Sequence, residues 1–265
     1  MPGIIINDKA VEVQGFPSRS WKDNPALRRG AEDGRTRRTS WVRSIIIHTT
    51  KGIPGGRNKA PQTIRPGKGP DQGKEVDVAR FWSRSTERSG AHLIIDTDGS
   101  IGCIADLATE EMFHAGQTHV NTNSVGIEMY QLGDGSLYEA TLDACVALCD
   151  TICAELGIQR QIQFPYHRRP VQRLANGGND CVGVFGHRDI TTRRGLGDPG
   201  DAIFQKLMAA GYEEFDFEAS EDLATWKERQ RDLGLKDDGV AGPGSQRALA
   251  RAGYRRGLWT LGKGS

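Results

Sequence analysis

An apolar run that ends in a histidine constrains the fold of this chain most. Ile45, Ile46 and Ile47 follow one another and lead to His48. A strand with one solvated face alternates apolar and polar residues, whereas this run is apolar on both faces. It therefore predicts a strand buried in a sheet that is covered on both sides, with a histidine at its carboxyl end.

Further short apolar segments that predict strands or helices lie before and after this strand in the sequence. Further strands are predicted at 4–6, 10–13, 92–96, 100–104, 125–130 and 181–185, and helices at 76–85, 138–156 and 202–210. Gly157 follows the longest predicted helix in the position of a C-terminal cap, and Asp98-Gly99 predicts a tight turn between two strands. Because strands and helices mix without strict alternation, the predicted fold class is α/β, with a mixed central β-sheet flanked by helices.

Charge and hydropathy exclude several kinds of partner. The chain has 265 residues, with 35 Lys and Arg against 34 Asp and Glu, so its net charge is +1. We expect no nucleic-acid partner, since the arginines between 160 and 194 also lack interleaved aromatic residues for base stacking. No apolar run approaches the ~20 residues of a membrane span. The first residues lack the pattern of a secretory signal, so we expect synthesis in the cytoplasm. We also expect a monomeric protein.

Three of the five cysteines share one face of the longest predicted helix. Cys145, Cys149 and Cys153 are four residues apart, which allows either a soft metal site or a stripe of small buried side chains. The stripe is the commoner arrangement, because a free cysteine packs as a small apolar residue.

An acidic segment at 213–220 predicts a domain boundary. We expect residues 41–215 to form the main domain and residues 1–40 to form an N-terminal hairpin and extension. Residues 221–265 are too few to bury much core by themselves, and they predict a small all-α module.

Two histidines and one aspartate suggest a metal centre. His48 ends the isoleucine strand, His187 follows the strand predicted at 181–185, and Asp198 lies in a Gly-Asp-Pro-Gly turn. Two imidazoles and one carboxylate, with a fourth position left for water, form a set that catalytic zinc uses. Spacing alone leaves the alternative of ordinary strand-end residues, because a chain with six histidines offers many such triples.

Glu128 and His114 are the other candidates for chemistry. Glu128 interrupts an otherwise apolar strand, so its carboxylate lies either on a solvated face or in a site, where it would act as a general base. His114, within a Phe-His-Ala-Gly segment, either donates to a substrate or an oxyanion or has no catalytic role.

Six segments, taken in order, resemble one known enzyme family. They are residues 44–50, 90–99, 113–116, 123–128, 186–190 and 198–200. Together they resemble the zinc-dependent N-acetylmuramoyl-L-alanine amidases, which share the fold of peptidoglycan recognition proteins and phage lysozyme. The resemblance implies one zinc ion and cleavage of the amide between the lactyl group of N-acetylmuramic acid and the L-alanine of the stem peptide.

The resemblance assigns roles residue by residue. His48, His187 and Asp198 fall at the positions of the zinc ligands. Glu128 falls at the catalytic acidic position, beside a zinc-activated water. The positions expected to bind substrate are His92, His114, Asn123, Arg193 and Arg194.

One position departs from the family pattern. Leu196 stands two residues before the third ligand, where active relatives often carry a lysine or a polar residue that stabilises the oxyanion. Leucine cannot donate a hydrogen bond, so Arg193, Arg194, His114 or the zinc alone is left for this role. Residues 163–180 also form an insertion relative to compact relatives.

The C-terminal residues carry a second resemblance, to small helical peptidoglycan-binding modules. A helical segment begins near Trp226, residues 238–239 form a turn, and residues 242–243 precede a last helix. Arg229 stands where such modules have an apolar residue. We expect 221–265 to anchor the enzyme to its wall substrate.

These features favour a lysin, of phage type or carried on a particle, that acts on the peptidoglycan of the cell wall. A cytoplasmic amidase that recycles muropeptides is one alternative, but a wall-anchoring module is of little use on soluble fragments. A recognition protein without catalysis is another. Leu196 favours the recognition protein, whereas the three candidate ligands and Glu128 argue against it.

Overall fold

An eight-stranded mixed sheet organises the chain. The computed structural model describes residues 3–28, 36–51, 62–84, 89–163, 182–191, 198–215 and 231. The strands are β1 (Ile4–Ile6), β2 (Lys9–Val11), β3 (Ser18–Ser20), β4 (Thr36–Arg37), β5 (Ser44–Thr49), β6 (Ile64–Arg65), β7 (Leu93–Ile95), β8 (Ile101–Cys103), β9 (Glu110–Glu111), β10 (Ser124–Met129), β11 (Leu137–Tyr138), β12 (Gln161–Gln163), β13 (Gly183–Gly186) and β14 (Glu213–Phe215). The helices are α1 (Lys74–Arg84), α2 (Thr118–Asn123), α3 (Glu139–Leu156) and α4 (Asp201–Ala209), with 3-10 turns at Pro25–Leu27 and His187–Asp189.

The main sheet has the strand order β14-β12-β13-β5-β10-β7-β8-β3. Its neighbouring strands are parallel except for the antiparallel pair β7–β8. That pair is the hairpin predicted around Asp98-Gly99, and Gly99 has the positive φ of 88° that the turn requires. The predicted mixed central sheet with flanking helices is therefore confirmed.

The isoleucine strand is buried on both faces, as its apolar run predicts. Ile45 and Ile47 pack in the cluster that contains the buried sides of α3 and α4. Ile46 points the other way and packs with Val120 of α2. Because side chains alternate along a strand, His48 emerges on the same face as Ile46, the face that carries α1 and α2.

The N-terminal residues share this core. The predicted hairpin is present as β1 and β2, and its two turn residues Asn7 and Asp8 have positive φ values of 52° and 66°. The β1 isoleucines lie in the main hydrophobic cluster, and β3 pairs with β8 at the edge of the main sheet. Residues 3–28, within the expected N-terminal hairpin and extension, pack against the main sheet and its core, because β1 is apolar throughout and needs a partner surface.

The longest helix, α3, ends as predicted. Gly157 adopts a left-handed conformation with φ 66°, and its N–H donates to the carbonyl of Cys153. The thiols of Cys145, Cys149 and Cys153 are free and buried, and they pack within the main hydrophobic cluster. The stripe of small buried side chains is the interpretation that this packing supports. None of the described helices has both the length and the apolar content needed to cross a membrane.

Candidate active site

Three neighbouring parallel strands bring the candidate residues to one edge of the sheet. β13, β5 and β10 are adjacent and run in the same direction. His48 and Glu128 are the penultimate residues of β5 and β10, and His187 directly follows β13. The carboxyl ends of parallel strands are where α/β sheets bind ligands, so the topology itself assembles the site.

His48, His187 and Asp198 come together as a buried group. The exposed fractions of these three residues are 3%, 4% and 1%, respectively. The Nδ1 atoms of the two histidines are 2.9 Å apart, and Nδ1 of His187 is 3.3 Å from Oδ2 of Asp198. One ligand atom from each residue lies within 4.8 Å of the others.

This geometry fits a tetrahedral metal. Two ligand atoms that are each about 2.1 Å from a tetrahedral zinc lie about 3.4 Å apart, close to the spacings found here. Two imidazole nitrogens and a carboxylate oxygen are also donors that zinc accepts in catalytic sites. The fit supports the set that the sequence suggested.

Backbone groups orient the aspartate of this set. The backbone N–H of Thr49 donates to Oδ1 of Asp198 over 2.9 Å. The N–H of Arg188 donates to the carbonyl of Asp198 over 2.9 Å. With Oδ1 held by Thr49, Oδ2 is the oxygen that faces His187, as a ligating carboxylate held by outer hydrogen bonds would be.

Glu128 opens onto the same pocket. It is the register partner of His48 across β10 and β5, it is half-buried, and it lines a pocket together with the three buried residues. The Glu128 carboxylate was expected either on a solvated face or in a site, and its place in the pocket lining supports the site.

His114 also lines this pocket, but both of its ring nitrogens have protein neighbours. Nδ1 is 3.0 Å from Nε2 of His48, and Nε2 is 3.1 Å from Oγ of Ser124. Burial, and next the nearby His187, lower the pKa of His114 to about 3. The ring is therefore neutral at pH 7 and held by the protein.

Two of the expected substrate-binding residues lie elsewhere, which corrects the sequence analysis. His92 is fully buried; its Nδ1 accepts from the N–H of Gly126 and its Nε2 is 3.2 Å from the carbonyl of Glu110. Burial is the main cause that lowers the pKa of His92 well below its usual value. This histidine is a packed core residue.

Asn123 is the second correction. It precedes β10 and so lies at the amino end of a strand whose carboxyl end forms the site, roughly 16 Å away at the rise of a strand. Its Oδ1 accepts from the hydroxyl of Ser40, and its Nδ2 donates to the carbonyl of His119. Both polar atoms therefore serve local structure.

Several expected features lie outside the described residues. They are Arg193, Arg194, Leu196, most of the 163–180 insertion and, apart from residue 231, the 221–265 module.

A comparison with known families identifies the domain. The sequence profile of the N-acetylmuramoyl-L-alanine amidases matches residues 37–201, more than half of the chain. The chain belongs to this family.

The solved structures that are similar to this chain include an endolysin, an amidase and a peptidoglycan recognition protein. A mutant endolysin from Bacillus subtilis is 19% identical and is matched over 68% of this chain and 94% of its own, with a TM-score of 0.43. An N-acetylmuramoyl-L-alanine amidase from Clostridium intestinale is 18% identical over 66% and 91%, with a TM-score of 0.36. The Drosophila peptidoglycan recognition protein SD is 14% identical over 73% and 94%, with a TM-score of 0.42. Among curated proteins, the comparison found no match.

The family match includes the whole candidate site of this amidase. His48, Glu128, His187 and Asp198 all lie between 37 and 201, and the match ends at the first residue of α4. The chain is thus a peptidoglycan amidase with its candidate site inside the matched region, and residues 221–265 lie outside it.

One wall of the amidase pocket was missed by the sequence analysis. Lys74, Asp77, Val78 and Phe81 line it from one face of α1, and Phe81 is 69% exposed. Their spacing of three, four and seven residues marks one helix face. The helix was predicted, but only the fold reveals that this face borders the site. Aromatic side chains of the wall and rim are Phe81, Trp82, Phe113 and Tyr130.

Proposed function

We propose that the amidase uses His48, His187 and Asp198 to hold one zinc ion and Glu128 to move protons. One observation carries this proposal: three buried candidate ligand atoms and one half-buried carboxylate line a single pocket. Zinc, when bound, supplies a lowered pKa for a coordinated water and polarises a carbonyl.

The role of Glu128 follows from its position beside His48. Its carboxylate accepts a proton from the water that attacks the amide carbon. The same carboxyl group then donates that proton to the nitrogen of the leaving amine as the C–N bond breaks. The products are a lactyl carboxylate on the glycan and a free amino group on the stem peptide.

The pocket wall suits a substrate with sugar and peptide parts. The exposed ring of Phe81 offers an apolar face beside the site. Lys74 lies on the same wall in an ion pair with Asp77, and its hydrogen bond to this carboxylate raises the pKa of the Lys74 amine. We propose that this wall contacts the muramyl peptide on either side of the bond that is cleaved.

Arg193 and Arg194 are the proposed donors to the oxyanion. They stand close in sequence to the third ligand, and Leu196 has no donor of its own. Alanine at each position should lower kcat with little change in KM if that arginine acts in the transition state. An unchanged kcat at both positions would leave the role to the metal.

The reaction is tested by the products released from purified peptidoglycan. Mass spectrometry should find glycan whose muramic acid residues carry free lactyl carboxylates, and intact peptides that begin with L-alanine. Cleavage within the glycan or within the peptide would refute the assignment.

We further propose that the enzyme is a cell-wall lysin, phage-borne or particle-borne, with residues 221–265 as its anchor. The segment has more basic than acidic residues, which favours binding to an anionic wall. A second binding site raises the effective concentration of the enzyme at an insoluble substrate.

A further inference from the structure

A short chain of hydrogen-bonding groups leads from the interior to the candidate metal ligand His48. Oγ of Ser124 is 2.6 Å from the carbonyl of Val120 and 3.1 Å from Nε2 of His114. Nδ1 of His114 is 3.0 Å from Nε2 of His48. The other nitrogen of His48, Nδ1, faces His187.

The positions of the protons follow from the start of this chain. A carbonyl oxygen can only accept, so the single hydroxyl hydrogen of Ser124 is donated to Val120. The Ser124 oxygen then accepts from Nε2–H of His114. A neutral imidazole has one N–H, so Nδ1 of His114 carries a lone pair and accepts from Nε2–H of His48. Nδ1 of His48 is left without a proton and faces the other two ligands.

We propose that His114 and Ser124 are positioning residues that fix the tautomer and the ring orientation of His48 for metal binding. This inference rests on the proposed zinc site. Partners of this kind hold a ligating histidine in its binding form and typically change metal affinity 10–100-fold when removed. The arrangement also uses both nitrogens of His114, so this residue is no longer a candidate donor to the substrate or the oxyanion.

The backbone of β10 makes room for this arrangement. A Cβ atom on Gly126 would lie 2.6 Å from Cγ and 2.8 Å from Nδ1 of His114. The ring therefore lies against a strand position that has no side chain, with Ser124 two residues away on the same face. Hydrogen bonding and steric fit thus act on the same ring.

Two measurements on the full chain test the proposal. In wild-type protein stripped of metal, long-range 1H–15N spectra of the histidine rings should assign the proton of His48 and that of His114 to Nε2. Zinc affinity, measured by competition with a chelating dye, should fall about 10–100-fold in His114→Leu and in Ser124→Ala. In His114→Asn the amide oxygen can still accept from His48, so most of the affinity should remain. His119→Leu, on α2 and outside the pocket lining, is the matched control and should bind zinc as wild type does.

The outcomes separate this inference from the proposed function. Wild-type protein that binds no zinc refutes the metal site, whereas the spectra still decide the tautomers. Wild-type affinity in His114→Leu, or a proton on Nδ1 of His48 in the metal-free protein, overturns the positioning role even if the enzyme is active. The spectra need no variant, so a variant that fails to fold does not remove the test.

Discussion

Glu128 lies directly beside His48 in the register of two parallel strands. The pairing is part of an unbroken ladder from Ser124 and Ser44 to Met129 and Thr49. Because a shift by one residue would turn both side chains to the opposite face, the backbone hydrogen bonds of the ladder fix the carboxylate next to the candidate ligand. The spacing between the proposed base and the candidate metal ligand is thus a property of the sheet.

Replacement of Glu128 by glutamine should separate catalysis from binding. The amide keeps the shape of the side chain but cannot accept the proton, so kcat should fall by roughly 10²–10⁴. Zinc content and substrate affinity should stay near wild type. Glu155→Gln, an exposed change on α3, should leave turnover unchanged. Turnover near wild type in Glu128→Gln would contradict the assignment.

Removal of metal should lower both activity and stability. A ligand present at a hundred times its Kd stabilises the folded state by roughly 2.7 kcal/mol, which corresponds to a fall in Tm of about 5–10 °C on chelation for a domain of this size. Added zinc should restore turnover and Tm. Differential scanning calorimetry and turnover assays on the same samples provide the measurement.

The variant His48→Ala makes this experiment specific. Its Tm should no longer respond to zinc, whereas that of His119→Ala should respond as in wild type. If the wild-type enzyme keeps full turnover after chelation, with no zinc detected by elemental analysis, the metal centre is excluded.

A methyl group at Gly126 should disturb the site through His114. The added Cβ would lie 2.6 Å from the ring, and overpacking of this kind costs about 1–3 kcal/mol of unfolding free energy. Gly126→Ala should also bind zinc more weakly, because the displaced ring no longer holds His48. At Gly133 the nearest atom is 3.6 Å away, at the end of the Lys51 side chain, so Gly133→Ala is the control. Normal stability and zinc affinity in Gly126→Ala would show that the ring can move without consequence.

Deletion of residues 221–265 should weaken wall binding and slow lysis without impairing the chemical step. The truncated protein should sediment less with purified cell walls and lyse them more slowly, while it cleaves small soluble muropeptides at close to the original rate. Loss of cleavage of soluble substrate, or loss of zinc, would place these residues in the catalytic domain.

The sequence predicts the local structure well where a few neighbouring residues decide it. Gly157 ends α3 and Asp98-Gly99 turns between β7 and β8 because these positions need backbone angles that glycine adopts readily. β5 was predicted because its isoleucines need burial on both faces. In contrast, β3 is the polar segment Ser18–Ser20. It has no apolar pattern that predicts a strand. It forms a strand because it pairs with β8 at the edge of the main sheet.

The sequence best predicts the part of the candidate site that lies at the ends of apolar strands. His48, His187 and Glu128 follow or end apolar strands, so their places at the carboxyl edge were foreseeable. His92 precedes β7 and Asn123 precedes β10, and each has hydrogen-bond partners within the protein that its position in the sequence does not reveal. The wall formed by α1 depends on how the helix packs across the sheet. The local sequence pattern predicts the helix but does not predict this packing.

The convergence of distant strands has a consequence for how the proposed metal site would be filled. His48 and His187 are 139 positions apart, and Thr49 holds an aspartate 149 positions away. A nascent chain therefore exposes His48 on the ribosome long before the other two candidate ligands have been synthesised. High contact order of this kind delays the formation of such a site until the chain closes on itself. Because metal affinity then arises together with tertiary structure, zinc uptake should coincide with completion of the fold.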